Sequence, residues 1–348
     1  MSGEGRLRAA ALVALLAPCV LACSGSHASQ PGDDRAWSFV ARSAQAAFLS
    51  VNGTSARDVW LAGADDGNGP VVLHYDGRAW ERRATGATGD LWWVNALTGG
   101  SVFFGGSNAT VLRYDGTAFG ALATPGPAAA TVFGVWAAAE DDVYAVGSLD
   151  GKNGFVWHYD GTAFGAVPLD GSLPLGENGA TPGLFKVWGT SARNVWVVGA
   201  NGVVLRGSAA DGFELVRAGG TDTLFTVHAR GAEVVMVGGS SSGVILAAED
   251  DALVDETPPG APLLQGVSVA ADGSVWAVGY GGSVYHGEGG VFAPVDPGLD
   301  FTASESLHSV WTDPDGGVWA AGGNVLTPAL DDGLALHFGG AVPTSDPF

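Results

Sequence analysis

Two stretches of the chain, Val51-Asn-Gly-Thr-Ser-Ala-Arg-Asp-Val-Trp-Leu-Ala-Gly63 and Val187-Trp-Gly-Thr-Ser-Ala-Arg-Asn-Val-Trp-Val-Val-Gly199, are two copies of one pattern. Their first valine recurs along the chain at Val51, Val94, Val135, Val187, Val227, Val267 and Val310. The successive intervals are 43, 41, 52, 40, 40 and 43 residues. Self-similarity at such a period indicates one structural unit used repeatedly, here seven times.

Two further markers keep the same register in every unit. A glycine follows each valine by 11 or 12 residues, at Gly63, Gly105, Gly147, Gly199, Gly238, Gly279 and Gly322. An apolar side chain precedes each valine by three residues, at Phe48, Leu91, Val132, Leu184, Leu224, Leu264 and Leu307.

Each unit consists of short β-rich runs separated by turn residues. In the first unit the runs begin at Val51, Val59, Val71 and Ala79, with Gly, Asp, Asn or Ser between them. Four strands in about 40 to 45 residues, repeated four to eight times, are typical of a β-propeller blade. The sequence therefore predicts an all-β fold, a seven-bladed β-propeller over residues 37–340, with a Gly- and Pro-rich surface insertion at 167–183.

A propeller must also join its two ends, because an open ring exposes a strand edge. Asp33-Asp-Arg-Ala-Trp37 matches Asp76-Gly-Arg-Ala-Trp80, which begins an outer strand. We therefore expect Trp37–Ala41 to supply the outer strand of the last blade, beside Leu334–Phe338. The alternative is that Ala341-Val342 forms that strand and Trp37 only packs against it.

The unit around Val51, Val135 and Val187 resembles the bacterial propeller repeats of exported proteins in myxobacteria and their relatives. These repeats are broadly akin to two-component-regulator and BNR-like propellers. The resemblance covers residues 37–340 and implies a fold, because such families share architecture more than activity.

The N-terminus has the order of residues that is typical of a secretory signal. Arg6 and Arg8 precede the apolar run Ala9–Ala17, which is too short to span a membrane. Val20-Leu-Ala-Cys23 resembles a bacterial lipobox, so we expect a lipoprotein signal peptide at 1–23, lipidation at Cys23, a flexible tether at 24–36 and a C-terminal tail at 341–348. In such lipoproteins a residue other than Asp after the cysteine, here Ser24, implies the outer membrane. The alternative is an ordinary leader with an incidental cysteine.

Charge restricts the choice of partners. The chain carries 36 acidic and 15 basic side chains, a net charge of −21, which argues against nucleic acid as a partner. The same charge favours a monomer, and we expect contact with a membrane only through the lipid anchor.

No motif for catalysis, a metal or a cofactor stands out from the repeats, so we expect none of these. Asp65–Gly69 and Asp313–Gly317 lack the distal glutamate of a calcium loop and are read as turns. One position of the third strand holds a polar side chain in six units, at His74, Arg113, His158, Arg206, His286 and His337. Equivalent positions on different blades lie far apart, so these are interpreted as strand positions and not as joint metal ligands.

The residue after each valine varies in chemistry. These residues, the first-strand ring, are Asn52, Asn95, Trp136, Trp188, His228, Ser268 and Trp311. Because they belong to the innermost strand, one hypothesis is that they form an axial recognition surface for a sugar or a protein side chain. The alternative is that the tryptophans fill space between blades.

The function expected from these observations is a non-catalytic, surface-displayed lipoprotein that binds an envelope or extracellular protein or polysaccharide. One alternative is a secreted carbohydrate-active lyase or glycosidase with carboxylates at an axial mouth. Another is a rigid scaffold without a ligand.

Overall fold

A computed structural model describes residues 35–169, 171, 173–175, 179–217, 222–249 and 252–344. The predicted signal peptide, Cys23 and residues 24–34 of the predicted tether lie outside the described residues. Within the described part, strands pair into seven antiparallel sheets of four strands each. The prediction of an all-β, seven-bladed propeller is confirmed.

Each blade is numbered by its first strand along the chain. The first strands of blades 1 to 7 are β2 (Phe48–Ser55), β6 (Leu91–Ala96), β10 (Ala130–Ala139), β14 (Leu184–Ser191), β18 (Thr223–Arg230), β22 (Leu264–Val269) and β26 (Ser306–Thr312). The second strands are β3 (Asp58–Asp65), β7 (Val102–Gly106), β11 (Asp142–Leu149), β15 (Asn194–Gly199), β19 (Glu233–Gly239), β23 (Val275–Gly279) and β27 (Val318–Asn324).

The two outer strands of each blade follow in the same order. The third strands are β4 (Pro70–Tyr75), β8 (Val111–Tyr114), β12 (Lys152–Tyr159), β16 (Val204–Ser208), β20 (Gly243–Glu249), β24 (Val284–Glu288) and β28 (Asp331–Gly339). The fourth strands are β5 (Trp80–Arg82), β9 (Phe119–Ala121), β13 (Phe164–Val167), β17 (Gly212–Arg217), β21 (Ala252–Asp255), β25 (Val291–Val295) and, for blade 7, β1 (Ala36–Ala44). A 3-10 turn, Ala200–Gly202, follows β15.

The N-terminal strand closes the ring. β1 pairs antiparallel with β28, with Trp37 opposite Phe338 and Phe39 opposite Leu336. The predicted closure by the N-terminus is confirmed, and the strand runs three residues beyond the predicted end at Ala41. The edge of blade 7 is therefore covered by a segment that precedes all the other blades in sequence.

The turn between the third and fourth strands is set by an Asp-Gly pair in blades 1 to 3. The carboxylate of Asp76 accepts hydrogen bonds from the backbone N–H groups of Arg78 and Ala79, at 2.8 and 2.9 Å. Gly77 has a positive φ of 86°, which a side chain would strain. Asp115-Gly116 and Asp160-Gly161 repeat the arrangement.

The hydrophobic core lies between neighbouring blades. Trp60 and Val72 of blade 1, for example, pack with Leu91 and Phe104 of blade 2. Burying one such side chain contributes about 1.5–3 kcal/mol to the free energy of folding. Both faces of each sheet are therefore buried, which explains strands that are apolar at consecutive positions. Among the residues that the structure describes, we find no helix that could span a membrane.

The closing strand should contribute more to stability than its counterpart in blade 1. Trp37 is 7% exposed and its ring centroid lies 5.8 Å from that of Trp276 in blade 6. We expect Trp37→Ala to lower the free energy of unfolding by about 3 kcal/mol, because it leaves a cavity where blades 6 and 7 meet. Chemical denaturation measures this change.

The control is Trp80→Ala, at the matching place in blade 1, where the side chain is only half-buried. Its expected cost is about 1 kcal/mol, because less apolar area is lost. A loss for Trp37→Ala no larger than that of the control would contradict closure by β1 as a stabilising contact.

Candidate functional site

The first strands surround the axis of the propeller. Each contacts the first strand of the next blade, and β26 contacts β2, so the series closes on itself. A side chain that leaves these strands toward the axis can therefore meet its equivalents from other blades.

Every first strand contains a β-bulge at the same place, and in blades 1, 3 and 4 a second register shift lies near the end of the strand. In blade 1 Phe48 pairs with Gly63 and Ser50 with Ala62, so Leu49 has no partner in the ladder. The same one-residue shift recurs in all the other blades, always two residues before the repeated valine. A bulge turns the extra residue out of the strand and re-aims its side chain.

The recurring glycine of the sequence lies opposite this bulge. A Cβ on Gly63 would collide with the backbone carbonyl oxygen of Ala47, four residues before the valine. The equivalent carbonyl lies equally close to Gly106, Gly147, Gly199, Gly238, Gly279 and Gly322. In blade 2 the glycine in this role is Gly106, one residue after the Gly105 chosen by spacing. A strand glycine often marks a bulge, so the sequence did contain a signal for it.

The seven bulged residues form what we call the axial belt: Leu49, Trp92, Phe133, Phe185, Phe225, Gln265 and His308. Their rings touch across blades. Ring centroids are 5.3 Å apart for Trp92 and Phe133 and 5.4 Å for Phe133 and Phe185. Phe185 and Phe225 are 5.9 Å apart, and Trp92 and His308 6.1 Å.

The belt has an aromatic side and a polar side. The four aromatic residues, on blades 2 to 5, are all half-buried, so solvent reaches them. Gln265 and His308, on blades 6 and 7, follow as polar groups, and the ring nitrogen Nδ1 of His308 hydrogen-bonds the carbonyl oxygen of Leu49. A half-buried arc of rings beside polar groups is suited to binding an amphipathic surface.

The residues of the first-strand ring lie outside the axial belt and contact the next blade. The carbonyl oxygen of the Asn52 side chain accepts from the backbone N–H of Ala96 in the next blade at 2.8 Å, and Asn95 accepts from Ala137 at 3.0 Å. His228 accepts from Val269 and Ser268 from Thr312, both at 3.1 Å. All of these contacts join one blade to the next.

The three tryptophans of that ring also contact the next blade. The indole N–H of Trp188 donates to the carbonyl oxygen of Ala229 at 3.0 Å. The rings of Trp136 and Trp311 lie against Gly189 and Gly53, where a Cβ would collide with them. Trp188 is half-buried and the other six members of the ring are buried. Ligand binding by this ring stays a prediction, and the axial belt is the arrangement that the sequence analysis missed.

Burial shifts the ionisation of three groups near the axis. Burial, aided by the charge on Arg230, lowers the pKa of His228 to about 3. Burial and the charge on Lys186 lower the pKa of His308 to about 4. Burial also holds the pKa of Lys186 well below its usual 10.5. Both histidines are therefore neutral near pH 7.

The polar positions of the third strand pair with aromatic residues of the second strand. His74 lies opposite Trp60 and stacks on it, with ring centroids 4.0 Å apart. Asp58 accepts from both, at 2.8 Å from the imidazole and 3.1 Å from the indole nitrogen. Burial alone would raise the pKa of Asp58, but hydrogen bonds from His74, Thr54 and Trp60 bring it below its usual value. The histidine at this position stabilises its own blade.

Blade 4 departs from this arrangement. Asn194 replaces the aspartate, and its side-chain oxygen accepts from Arg206 at 2.9 Å. The buried indole N–H of Trp196 then has no acceptor. A neighbouring cleft of about 640 Å³ is lined by Arg193, Asp211 and Glu214, among others.

In the part of the chain that the structure describes, no three or more His, Cys, Asp or Glu side chains come together in a way that could hold a metal ion. The carboxylate of Asp65 accepts from the backbone N–H groups of Gly67 and Gly69, at 2.8 and 3.0 Å. Asp313 does the same with Asp315 and Gly317, both at 2.9 Å. In both loops the carboxylate oxygens thus hold the turn itself.

A cleft between blades 5 and 6 gathers carboxylates. It has a volume of about 190 Å³, and Glu233, Glu249 and Glu256 line it. Burial and the charges of the other two glutamates raise the pKa of Glu256. The cleft lies on outer strands and turns, away from the axial belt.

The chain is similar to known proteins in its fold. No protein-family model matches it, and no curated protein does. Among solved structures, Ycf48 from Cyanidioschyzon merolae is similar with a TM-score of 0.64 and 17% identity, over 87% of this chain and 98% of that one. The WD40 propeller domain of Doa1 is similar with a TM-score of 0.62 and 13% identity, over 88% and 97% of the two chains.

A third similar structure is the extracellular domain of the hybrid two-component system BT4673 from B. thetaiotaomicron. Its TM-score is 0.62 with 14% identity, over 87% of this chain and 39% of that one. The chain is thus a seven-bladed propeller resembling Ycf48 and the extracellular propellers of two-component systems. Identities this low show the fold alone.

Burial of His228 in its neutral form makes stability depend on pH. The unfolded state, with an ordinary pKa near 6.5, binds a proton that the folded state refuses until about pH 3. Stability therefore falls as pH drops below 6.5, by about 2 kcal/mol for this residue at pH 5. His228→Asn keeps the acceptor, as Asn52 and Asn95 do in blades 1 and 2, and should lose about 2 kcal/mol less between pH 8 and pH 5.

Urea denaturation of both proteins at pH 8, 6.5 and 5 measures the difference. Equal losses for the wild-type chain and for His228→Asn would show that this histidine is not buried in its neutral form.

Blade 4 should be stabilised by restoring the aspartate. In Asn194→Asp one carboxylate can accept from Arg206, Trp196 and the hydroxyl of Thr190, as Asp58 accepts in blade 1. We expect a gain of about 1 kcal/mol in the free energy of unfolding, because a buried donor acquires its partner. The reciprocal control, Asp58→Asn, should lose a similar amount. A destabilised Asn194→Asp would refute this reading of the blade motif.

Proposed function

We propose that the chain is an exported, lipid-tethered propeller that binds a protein or polysaccharide of the cell envelope or its surroundings, without catalysis. The observation that carries the proposal is the axial belt. Its four half-buried aromatic side chains, Trp92, Phe133, Phe185 and Phe225, come from four consecutive blades and touch in series.

The belt has the chemistry of a recognition surface. Aromatic rings offer a large contact area at little cost in side-chain entropy, and they dominate the energetics of many binding sites. The rigid sheet behind each ring fixes its position before a partner arrives, which reduces the entropy lost on binding.

The lipid tether and the location in the cell envelope are the parts of the proposal that we infer from the sequence. The lipobox at Val20–Cys23 supports an anchor in the outer membrane or at the cell surface. The similar BT4673 domain is described as extracellular, which fits export of this chain as well.

The glutamate cleft between blades 5 and 6 supports a second candidate, a carbohydrate-active enzyme. Three glutamates meet in this cleft, and burial together with the charges of the other two raises the pKa of Glu256, as in the carboxylate pairs that cleave glycosides. This cleft is peripheral, whereas the enzyme expected from the sequence used an axial mouth. We favour the binding function because the axial belt brings together aromatic side chains from four consecutive blades, whereas the cleft has a volume of only about 190 Å³.

A screen of the chain from Ser24 onward tests the proposal. It uses a glycan array and pull-down from envelope fractions, followed by product analysis of each carbohydrate hit. We expect retention without turnover. Phe133→Ala/Phe185→Ala should weaken binding at least tenfold, because it removes the centre of the aromatic arc.

Two further variants test whether a loss of binding is specific to the axial belt. Tyr280→Ala, at a 47% exposed aromatic residue outside the belt, should leave binding unchanged. Trp136→Ala/Trp188→Ala/Trp311→Ala tests the first-strand ring. Unchanged affinity in a folded belt variant would refute the belt as the binding surface, and shortened or unsaturated sugar products would replace the binding function with catalysis.

A further inference from the structure

A cleft beside the outer strand of blade 1, which we call the arginine cleft, differs in charge from the chain as a whole. It has a volume of about 500 Å³ and is lined by Asn68, Pro70, Arg82, Arg83 and residues 84–87. Two of these described residues are arginines and none of them is acidic. In the whole chain, by contrast, acidic side chains outnumber basic ones by 36 to 15.

The repeat does not explain an arginine at position 83. The backbone N–H of Arg83 donates to the carbonyl oxygen of Val72 at 2.8 Å, and Leu122 of blade 2 donates in the same way to Val111 at 2.9 Å. Leu122 packs against an apolar core cluster, whereas the Nε–H of Arg83 is buried without an acceptor. Because a buried unpaired donor is unfavourable, neither the shared backbone bond nor packing accounts for this arginine.

Ion pairs hold both guanidinium groups in place. Nη1 of Arg82 donates to the carboxylate of Asp66 at 2.6 Å, and the Asp66 side chain is only 3% exposed. The hydrogen bond from Arg82 lowers the pKa of Asp66, so this pair stays ionised near pH 7. Nη2 of Arg83 donates to the exposed carboxylate of Glu81 at 3.0 Å. Groups that are fixed in advance lose less entropy when a ligand binds.

Each arginine keeps one terminal nitrogen for a ligand. Among the described residues, no acceptor is found for Nη2 of Arg82 or for Nη1 of Arg83, and neither atom is buried. The two side chains are 25% and 35% exposed. A ligand in the cleft can therefore reach a charged donor on each arginine.

The loop that follows the outer strand adds a hydroxyl group. The hydroxyl oxygen of Thr85 accepts from the backbone N–H of Ala87 at 3.2 Å, which leaves the hydroxyl hydrogen to donate. Gly69 lies against this loop, where a Cβ would come within 2.9 Å of the carbonyl oxygen of Ala87. The cleft thus offers donors from Arg82, Arg83 and Thr85, which suits a ligand that is rich in acceptors.

We propose that the arginine cleft binds the uronic acid unit of an acidic polysaccharide. The planar carboxylate accepts from Arg82 and Arg83, since guanidinium groups match carboxylates in shape and charge. A volume of about 500 Å³ leaves room for the sugar ring, one of whose hydroxyls accepts from Thr85. The inference goes beyond the proposed function, because the cleft lies at an outer strand and the axial belt is formed by the first strands.

The experiment is a calorimetric titration of the chain from Ser24 onward with glucuronate as the probe. We expect saturable binding of one glucuronate per chain. Glucose has the same ring without the carboxylate and should give no saturable heat. Acetate has the carboxylate without the ring and should bind at least tenfold more weakly.

A pair of variants separates the cleft from general attraction by positive charge. Arg83→Leu introduces the residue that blade 2 carries as Leu122, and should weaken glucuronate binding at least tenfold. The matched control is Arg78→Thr, at an exposed arginine of the neighbouring turn that does not line the cleft. Blades 2 and 3 carry Thr117 and Thr162 at this place. The control loses the same charge and should bind glucuronate as the wild-type chain does.

Two further variants test the roles of the ion pairs. Glu81→Gln removes the exposed carboxylate that competes for Arg83, and should strengthen glucuronate binding several-fold. Arg82→Lys keeps a cation beside Asp66 but loses the second terminal nitrogen, and should weaken binding several-fold. A purely structural role for the arginines does not predict tighter binding in Glu81→Gln.

Any of three results would overturn the proposal: no saturable binding of glucuronate, equal loss of affinity in Arg83→Leu and Arg78→Thr, or weaker binding in Glu81→Gln. If Arg83→Leu fails to fold, Glu81→Gln and Arg82→Lys still decide. Phe133→Ala/Phe185→Ala, the variant of the axial belt, should keep the wild-type affinity for glucuronate. Failure of this proposal is therefore distinguishable from failure of the proposed function.

Discussion

The close approach of a backbone carbonyl to the bare Cα of one glycine in each blade is the contact on which the structure depends. At Gly147 the carbonyl of Thr131 occupies the space that a side chain would need, and the other six blades repeat it. This contact allows the first strand to bulge two residues before the repeated valine. Without the bulge, the side chain of Phe133 would stay in the ladder and would not reach its equivalents at the axis.

The bulge divides the side chains of the first strand into two groups with different surroundings. The residue turned out of the ladder belongs to the axial belt, whereas the residues after it stay in register and face a neighbouring blade. Asn52 and His228 hold the next blade by a hydrogen bond to its backbone, and Trp311 closes the series by packing against Gly53. β1 then completes blade 7 from the other end of the chain. Contacts between successive blades and the closing strand together keep the ring shut.

The features that could be predicted from the sequence are those that the repeats encode, namely the number of blades and the closure of the ring. Seven copies of one pattern gave the number of blades, and the match of Asp33–Trp37 to Asp76–Trp80 gave the closure. The belt could not be predicted in the same way, because strict alternation places side chains on two faces and a bulge breaks that alternation. Alternation correctly put Trp136 opposite the valine, but that direction leads to the neighbouring blade. The 3.7 Å contact between the Lys186 ammonium and the ring of Trp93 was also hidden, because the lysine side chain passes Gly134 and joins blade 4 to blade 2.

In blades 2 to 5 the bulged aromatic residue is half-buried, whereas the position after the valine is buried in six of the seven blades. Both natural cysteines precede residue 24, so a single introduced cysteine in the chain from Ser24 onward is a unique probe. The rate at which a small thiol reagent modifies native Phe185→Cys and native Trp136→Cys tests this difference directly. We expect rapid reaction at position 185 and strong protection at position 136. Equal rates, or protection at 185 alone, would contradict this expectation.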